Sequence, residues 1–260
     1  IIDNRPFSNE HHRAAVLLCV TFTDMTKLFN GIQLLLIILI TMFCGAMGVI
    51  LMVIMFSPKP AMALIPKFWS RFIFFVFGVK LQIRNIQNTR KTEAAIYAAN
   101  HASPLDIPAM FLSLPVPGYF ISKMELKKIP LMGWYMSISG MIFIDRKNRE
   151  KAMESMRTAG KQIKKGKNVI VYPEGTRSKN GVLQQFKRGS FIMAKESLLP
   201  IQPCAISGAY NRMKSGDLQC NPGTIIVNFL PRTKWDEHRF DSPEDFANKT
   251  QTAVSQALIS

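Results

Sequence analysis

The sequence predicts an α/β domain, a mixed sheet of about seven strands flanked by helices, preceded by an N-terminal hydrophobic helical segment that anchors it to a membrane. Three observations predict this. From Lys80 onward, short apolar runs alternate with longer amphipathic ones, the pattern of strands separated by helices. Upstream, Gly31 to Phe56 is almost wholly apolar, interrupted only by Gln33 and Thr41. The chain also carries 33 Lys and Arg against 17 Asp and Glu, a formal net charge of +16, which points to an anionic partner: nucleic acid, a membrane surface or a phosphorylated substrate.

These shifts divide the 260 residues into an N-terminal extension over 1–24, membrane-associated helices over 25–79 and a domain over 80–260. Residues up to Asp24 are mixed and polar without clear periodicity, and Ala14 to Val20 is their one apolar run. The 31–56 segment, as a helix, reaches about 39 Å at 1.5 Å per residue, enough to span a bilayer with tilt. It either crosses fully or forms one arm of a monotopic hairpin.

Ser57-Pro58-Lys59-Pro60 interrupts the apolar run, and a second helix is expected over 61–79. Its mix of Lys67, Trp69 and Arg71 with Phe72 to Phe77 suits the headgroup level, so it reads as interfacial or re-entrant. Lys59, Lys67, Arg71, Lys80 and Arg84 outnumber Arg5, Arg13 and Lys27 upstream, which places the domain on the cytoplasmic face.

Within the domain, strands are expected at Leu81–Arg84, Ala94–Ala99, Tyr119–Ser122, Met141–Asp145, Asn168–Tyr172, Ile201–Ile206 and Thr224–Phe229. The clearest helix runs from Asn148 to Lys165, with Ala152, Met153, Met156, Ala159 and Ile163 on one apolar stripe and Gly166 closing it. Ser242 opens a last helix as its N-cap, with Glu244 and Asp245 in the first turn. Cys19, Cys44, Cys204 and Cys220 are scattered, with no C-x-x-C spacing and no nearby histidines set as ligands. This pattern indicates neither a disulfide framework nor a metal site, and it fits a reducing compartment.

Two stretches carry chemistry. In Asn100-His101-Ala102-Ser103-Pro104-Leu105-Asp106, an imidazole and a carboxylate stand five positions apart where a strand end runs into a helix start. A neutral histidine takes a proton near neutral pH, and an aspartate fixes its tautomer and stabilises the imidazolium. The spacing equally fits a plain helix start, with Ser103 or Asp106 as cap and Pro104 in the first turn. In Tyr172-Pro173-Glu174-Gly175-Thr176-Arg177-Ser178, a buried strand ends at a proline. Gly175 lets backbone approach a ligand, Arg177 is a phosphate fork, and Glu174 either holds Arg177 or accepts a hydrogen bond from substrate. A solvated Glu–Arg turn is the alternative.

Between and beyond these stretches lie Lys123-Met124-Glu125-Leu126, Ile129-Pro130-Leu131-Met132-Gly133-Trp134, Gly140 to Arg146, Phe186-Lys187-Arg188-Gly189 and Leu199-Pro200-Ile201-Gln202-Pro203. In this order and spacing, the set resembles the glycerolipid acyltransferase family, most closely its bacterial 1-acyl-sn-glycerol-3-phosphate acyltransferase branch. The likeness covers Lys80 to about Ile206. The motif N-H-x-S-x-x-D is met at Asn100, His101, Ser103 and Asp106; G-x-x-F-I-x-R at Gly140, Phe143, Ile144 and Arg146; and F-P-E-G-T-R-S from Pro173 to Ser178, with Tyr172 for the usual phenylalanine. The proline motif keeps Pro200 and Pro203, with Gln202 at a commonly aliphatic position.

The resemblance implies transfer of a fatty acyl group from a carrier thioester to the sn-2 hydroxyl of lysophosphatidate, giving phosphatidate for phospholipid synthesis at the cell inner membrane. It implies His101 as general base, with Asp106 orienting it. It also implies Arg177, Glu174, Gly175, Thr176, Arg146 and Lys123 as substrate-binding residues. No cofactor or metal is implied; the co-substrate is an acyl carrier protein or coenzyme A thioester, and the other partners are membrane lipids. Lys187 and Arg188 face coenzyme A phosphates, carrier protein or anionic headgroups, or form a solvated pair. Ser103 has its cap explanation and no second base nearby in sequence, so it is not expected to be a nucleophile. Rival readings are an enzyme for another lysolipid acceptor (lysophospholipid, glycerol-3-phosphate or lyso-ornithine lipid) and a membrane lipid-binding protein without turnover. Nucleic-acid binding would rest on charge alone, with no helix-turn-helix or RNA-recognition signature.

Overall fold

The computed structural model describes residues 9–145, 150, 154–156, 159–160, 163, 166–217, 219–237 and 240–259, with side chains from residue 28 onward. A single helix, α1 (Asn9–Ile54), runs through the apolar segment to within two residues of its expected end at Phe56 and begins well upstream of Gly31, where it was expected to start. No glycine or proline stands between Asn9 and Asn30, so a helix nucleated in the apolar run propagates back through the polar residues. Its Leu28–Ile54 portion is long and apolar enough to cross a membrane.

The second helix, α2 (Pro58–Val76), starts three residues earlier than expected, because Pro58 occupies its first position and the Ser57 hydroxyl accepts from the Lys59 N–H. Proline in a first turn forfeits no helical hydrogen bond, so the Pro-rich stretch starts this helix rather than merely ending the previous one. The Trp69 indole donates to Thr41 Oγ1 at 2.9 Å, and the Gln33 amide donates to the Val76 carbonyl at 3.0 Å. These two bonds pin α2 antiparallel along α1.

All seven expected strands form: β1 (Val79–Arg84), β2 (Ile96–Ala99), β3 (Gly118–Lys123), β4 (Ile142–Ile144), β5 (Asn168–Val171), β6 (Ile201–Ser207) and β7 (Gly223–Phe229). They make one mixed sheet in the order β1-β7-β6-β2-β5-β3-β4, parallel at every junction except β6 with β7. β2 and β5 are buried along their whole length, which is why they read as unbroken apolar runs.

The pleat sends alternate residues into two cores. Tyr97, Ala99 and Ile170 join Ile73 and Phe74 of α2 and Phe111 of α3 (Asp106–Ser113). Ile96, Ala98, Val169 and Val171 face the opposite side, against Ala159, Ile163, Phe191, Phe246 and Val254. Of the helix expected over 148–165, the described positions 150, 154–156, 159–160 and 163 are helical; Ala152 and Met153 of its stripe lie outside the described residues. The last helix, Pro243–Ile259, opens with the Asp245 N–H donating to the Ser242 hydroxyl.

Helix α4 (Met132–Ser139) wedges between α1 and the sheet. A Cβ on Gly48 would lie 2.3 Å from the Tyr135 ring and one on Gly45 would lie 3.0 Å from Leu131 backbone, so both glycines are required for this approach. The Tyr135 hydroxyl reaches across to the Ala61 carbonyl at 3.4 Å, completing a three-helix contact.

Candidate active site

β2, β5 and β3 are adjacent and parallel, so the residues that follow their C-terminal ends emerge at one edge of the sheet. His101 follows β2, Pro173 to Ser178 follow β5, and Lys123 closes β3. That edge is where open α/β sheets place ligands.

Asn100 leaves β2 with its side chain locked onto β6: its amide donates to the Ile206 carbonyl at 3.0 Å and its carbonyl accepts from the Ile206 N–H at 2.7 Å. The imidazole Nδ1 of His101 then lies 2.8 Å from Asp106 Oδ2. The same oxygen accepts from the Ala102 and Ser103 N–H groups, each at 2.8 Å. Asp106 is fully buried and begins α3, and its geometry accommodates both readings of this stretch: one carboxylate oxygen ties the turn and bonds the imidazole. Ser103 Oγ accepts from the Leu105 N–H, within the turn. Pro108 falls in the first helical turn, where its missing N–H is not needed.

The loop after β5 is stitched to the same histidine. Glu174, only 2 % exposed, accepts from the His101 N–H through Oε1 at 2.6 Å and from the Gln184 N–H through Oε2 at 3.0 Å. In turn, the Ser178 N–H donates to the His101 carbonyl at 2.8 Å. The Glu174 oxygens are thus spent on backbone amides rather than on Arg177. Burial pushes its pKa up to about 7 against the opposing pull of the two amide bonds, and the Asp106 charge adds to the rise.

Beneath the imidazole lies Tyr172, its ring 3.9 Å centroid to centroid and 10° from parallel. Burial, with the charge of Asp106, holds the Tyr172 phenol well above its ordinary pKa. Gly175 turns at φ +79°, and a Cβ there would lie 2.9 Å from the Lys187 ammonium, so Lys187 packs over the loop. Arg188 instead pairs with Glu244 at 2.6 Å.

A cavity of about 480 Å³ opens beside the dyad. His101, Lys123, Gly175, Thr176 and Arg177 line its polar end; the rest is walled by Cys44 and Gly45 of α1, Ile65 and Trp69 of α2, Phe111 and Phe120, and Met132, Tyr135 and Met136 of α4. Of the residues expected to bind substrate, Arg177, Thr176, Gly175 and Lys123 therefore meet at one site with His101. Glu174 sits behind it, on the backbone, and Arg146 lies outside the described residues. Among the described residues no group of three or more His, Cys, Asp or Glu is placed to hold a metal. The supports that sequence reasoning left without a role are Tyr172, Asn100 and the three-helix wall. The replacement at Tyr172 was visible, but that its ring floors the histidine was not.

The family model for acyltransferases matches residues 80–207, the stretch that holds His101, Asp106, Lys123, Glu174 and Arg177. Over just under half of its length the chain is thus similar to the acyltransferase family. A 1-acyl-sn-glycerol-3-phosphate acyltransferase of Limnanthes douglasii is 33% identical over 175 residues, 67% of this chain and 62% of that protein. The enzyme of the same name from Saccharomyces cerevisiae is 30% identical over 186 residues, 70% of this chain and 61% of that protein. The chain thus spans less than two thirds of the length of these relatives. The crystal structure of the 1-acyl-sn-glycerophosphate acyltransferase from Thermotoga maritima matches 91% of this chain and 96% of its own, with a TM-score of 0.78 and 25% identity. The acyltransferase fold therefore extends over the N-terminal helices as well as the sheet.

Proposed function

We propose that this acyltransferase moves a fatty acyl group from an acyl carrier protein or coenzyme A thioester to the sn-2 hydroxyl of 1-acylglycerol-3-phosphate, giving phosphatidate. The observation that carries this reading is one cavity with a His–Asp dyad and two cations, Lys123 and Arg177, at its polar end and an apolar remainder between α1, α2 and α4. A phosphate monoester matches the cations, a hydrocarbon tail matches the apolar walls, and the hydroxyl between them falls at the histidine. The names of the relatives support the same acceptor.

The chemistry needs no covalent enzyme intermediate. Asp106 holds Nδ1, leaving Nε2 of His101 to take the hydroxyl proton as the oxygen attacks the thioester carbonyl. The new C–O bond forms, the tetrahedral oxyanion collapses, the C–S bond breaks, and the departing thiolate takes the proton from the imidazolium. Arg177 and Lys123 hold the phosphate so that the hydroxyl meets the base, which turns binding energy into rate.

We place the enzyme on the cytoplasmic face of the cell inner membrane, drawing its acceptor from the bilayer. Supporting a monotopic seat for α1 are its flanking contacts with α2 at Thr41 and with α4 at Gly45 and Gly48, all inside the apolar run.

The test is an acyl-transfer assay with lysophosphatidate and both thioesters, for wild type and His101→Ala. Loss of turnover in the variant is expected, and undiminished turnover would remove His101 as the base. Preference for an acceptor without a phosphate monoester would overturn the substrate assignment.

A further inference from the structure

Helix α4 has two faces. Tyr135 and Met136 turn inward to wall the cavity, while Trp134 and Ile138, one turn apart, are 57% and 53% exposed. Met124, 41% exposed, adds to this surface from the preceding 3₁₀ turn, Met124–Lys128, which also carries exposed Lys127 and Lys128 against a single acid, Glu125. Lys127 lies 6.0 Å from the centroid of the Phe143 ring. In water, an exposed tryptophan and isoleucine on one face of a two-turn helix bring no benefit to a monomer. At a bilayer, an indole beside lysines is the composition of the headgroup layer.

The packing says what covers this face. Gly45 and Gly48, where Leu131 and Tyr135 press against α1, lie within the Leu28–Ile54 apolar run rather than at its end. A helix in side-by-side contact there shares the depth of α1. At the same level, the face of α1 turned away from α4 exposes Phe43 and Met47, so the helix is apolar around that depth. The lysines complement anionic lipid, which attracts cations held near its surface.

We infer that the Met124–Ser139 segment is a third membrane-contacting element, which seats Trp134 and Ile138 in the leaflet that holds α1, with Lys127 and Lys128 on anionic headgroups. This rests on α1 lying in the bilayer. With α4 seated, its inner face keeps the cavity in direct reach of the leaflet, and an acceptor enters without its tail crossing water.

The experiment uses the full chain in vesicles of phosphatidylcholine and phosphatidylglycerol with brominated acyl chains. The Trp134 signal is read as wild type minus Trp134→Phe, a surface exchange that leaves Trp69 and Trp235 in place. The expected result is that bromolipid lowers this signal by about half while aqueous iodide leaves it largely intact. Lys127→Glu with Lys128→Glu is expected to shift the quenching from bromolipid toward iodide, with turnover of a short-chain, water-soluble acceptor unchanged. Quenching by iodide alone, or by neither agent as in a protein–protein contact, overturns the inference, as does a charge-reversed variant that quenches like wild type. Leu39→Trp in the Trp134→Phe background reports on α1 itself. Bromolipid quenching at position 39 with none at Trp134 would sink the α4 inference and leave the membrane seat of α1 standing.

Discussion

The backbone N–H of His101 donates to Glu174 Oε1 across 2.6 Å, so the loop that presents Arg177 also holds the peptide that presents the imidazole. The histidine and the arginine-bearing loop are joined into one hydrogen-bonded unit, closed on the other side by the Ser178 N–H on the His101 carbonyl. Glu174→Gln keeps the shape but can accept at only one of its two terminal atoms, so one of the two buried amides loses its partner. A hydrogen bond to a charged group contributes about 1.5–3 kcal/mol, and kcat is expected to fall roughly tenfold to a hundredfold. Steady-state kinetics with both substrates checks this; an unchanged kcat would mean the loop holds its shape without the carboxylate.

The same group sets a pH dependence of stability. Its folded pKa of about 7 stands above the ordinary 4.5, so the fold favours the neutral acid. Between those values the folded state binds more protons than the unfolded one. Stability from this group is therefore fully present below about pH 4.5, falls as pH climbs, and levels off above 7. The loss is about 3 kcal/mol at roughly 1.4 kcal/mol per unit. Melting of wild type and Glu174→Gln in one detergent at pH 5 and pH 8 should show the wild type losing more on the alkaline side, and parallel shifts would contradict it. The ionised form that accepts both amides is thus held at a cost in stability, as active-site groups often are.

Asp106→Asn tests the dyad. One oxygen of Asp106 serves His101 Nδ1 and two backbone N–H groups; the asparagine oxygen can take that place, but the negative charge that would stabilise the imidazolium is lost. A kcat loss of about 10²–10⁴-fold with little change in KM is expected. Circular dichroism should show the fold retained; a loss confined to KM would assign Asp106 to binding instead.

Tyr172 separates ring from hydroxyl. The ring stacks on His101, while the buried phenol oxygen has no hydrogen-bond partner among the described residues. Tyr172→Phe removes a polar atom whose burial costs about 1–3 kcal/mol, so it should melt at or above the wild type with turnover kept. Tyr172→Leu removes the floor of the imidazole and should lower kcat while KM stays near wild type. Destabilisation by the phenylalanine variant would show that the hydroxyl is bonded after all.

Gln202, at a commonly aliphatic position, is fully buried and accepts from Arg232 Nε at 2.9 Å while its amide reaches the Leu230 carbonyl. Arg232 also pairs with Glu93 at 3.2 Å. Arg232→Ala should cost about 2 kcal/mol by leaving a buried acceptor unpaired, and Gln202→Leu with Arg232→Leu should cost less than the sum of the two single changes. Additive losses in thermal unfolding would mean the two side chains act independently.

The residues alone determined the seven strands, because strand formation is written in local periodicity and in the punctuation of Pro173, Gly140 and Gly166. They also singled out His101, Asp106 and Arg177 as candidates, through their places in the motifs, and the fold brings His101 and Arg177 to one cavity with Asp106 bonded to the imidazole. Only the tertiary structure decided how the motifs divide their work. Which way Glu174 points at the end of β5 depends on β2 lying beside it, a pairing across more than seventy residues that no local pattern encodes. The extension of α1 to Asn9 came from cooperative helix propagation through residues with no pattern of their own. The wall of α1, α2 and α4 exists because Gly45 and Gly48 admit Leu131 and Tyr135, a close approach visible only once the two helices are side by side.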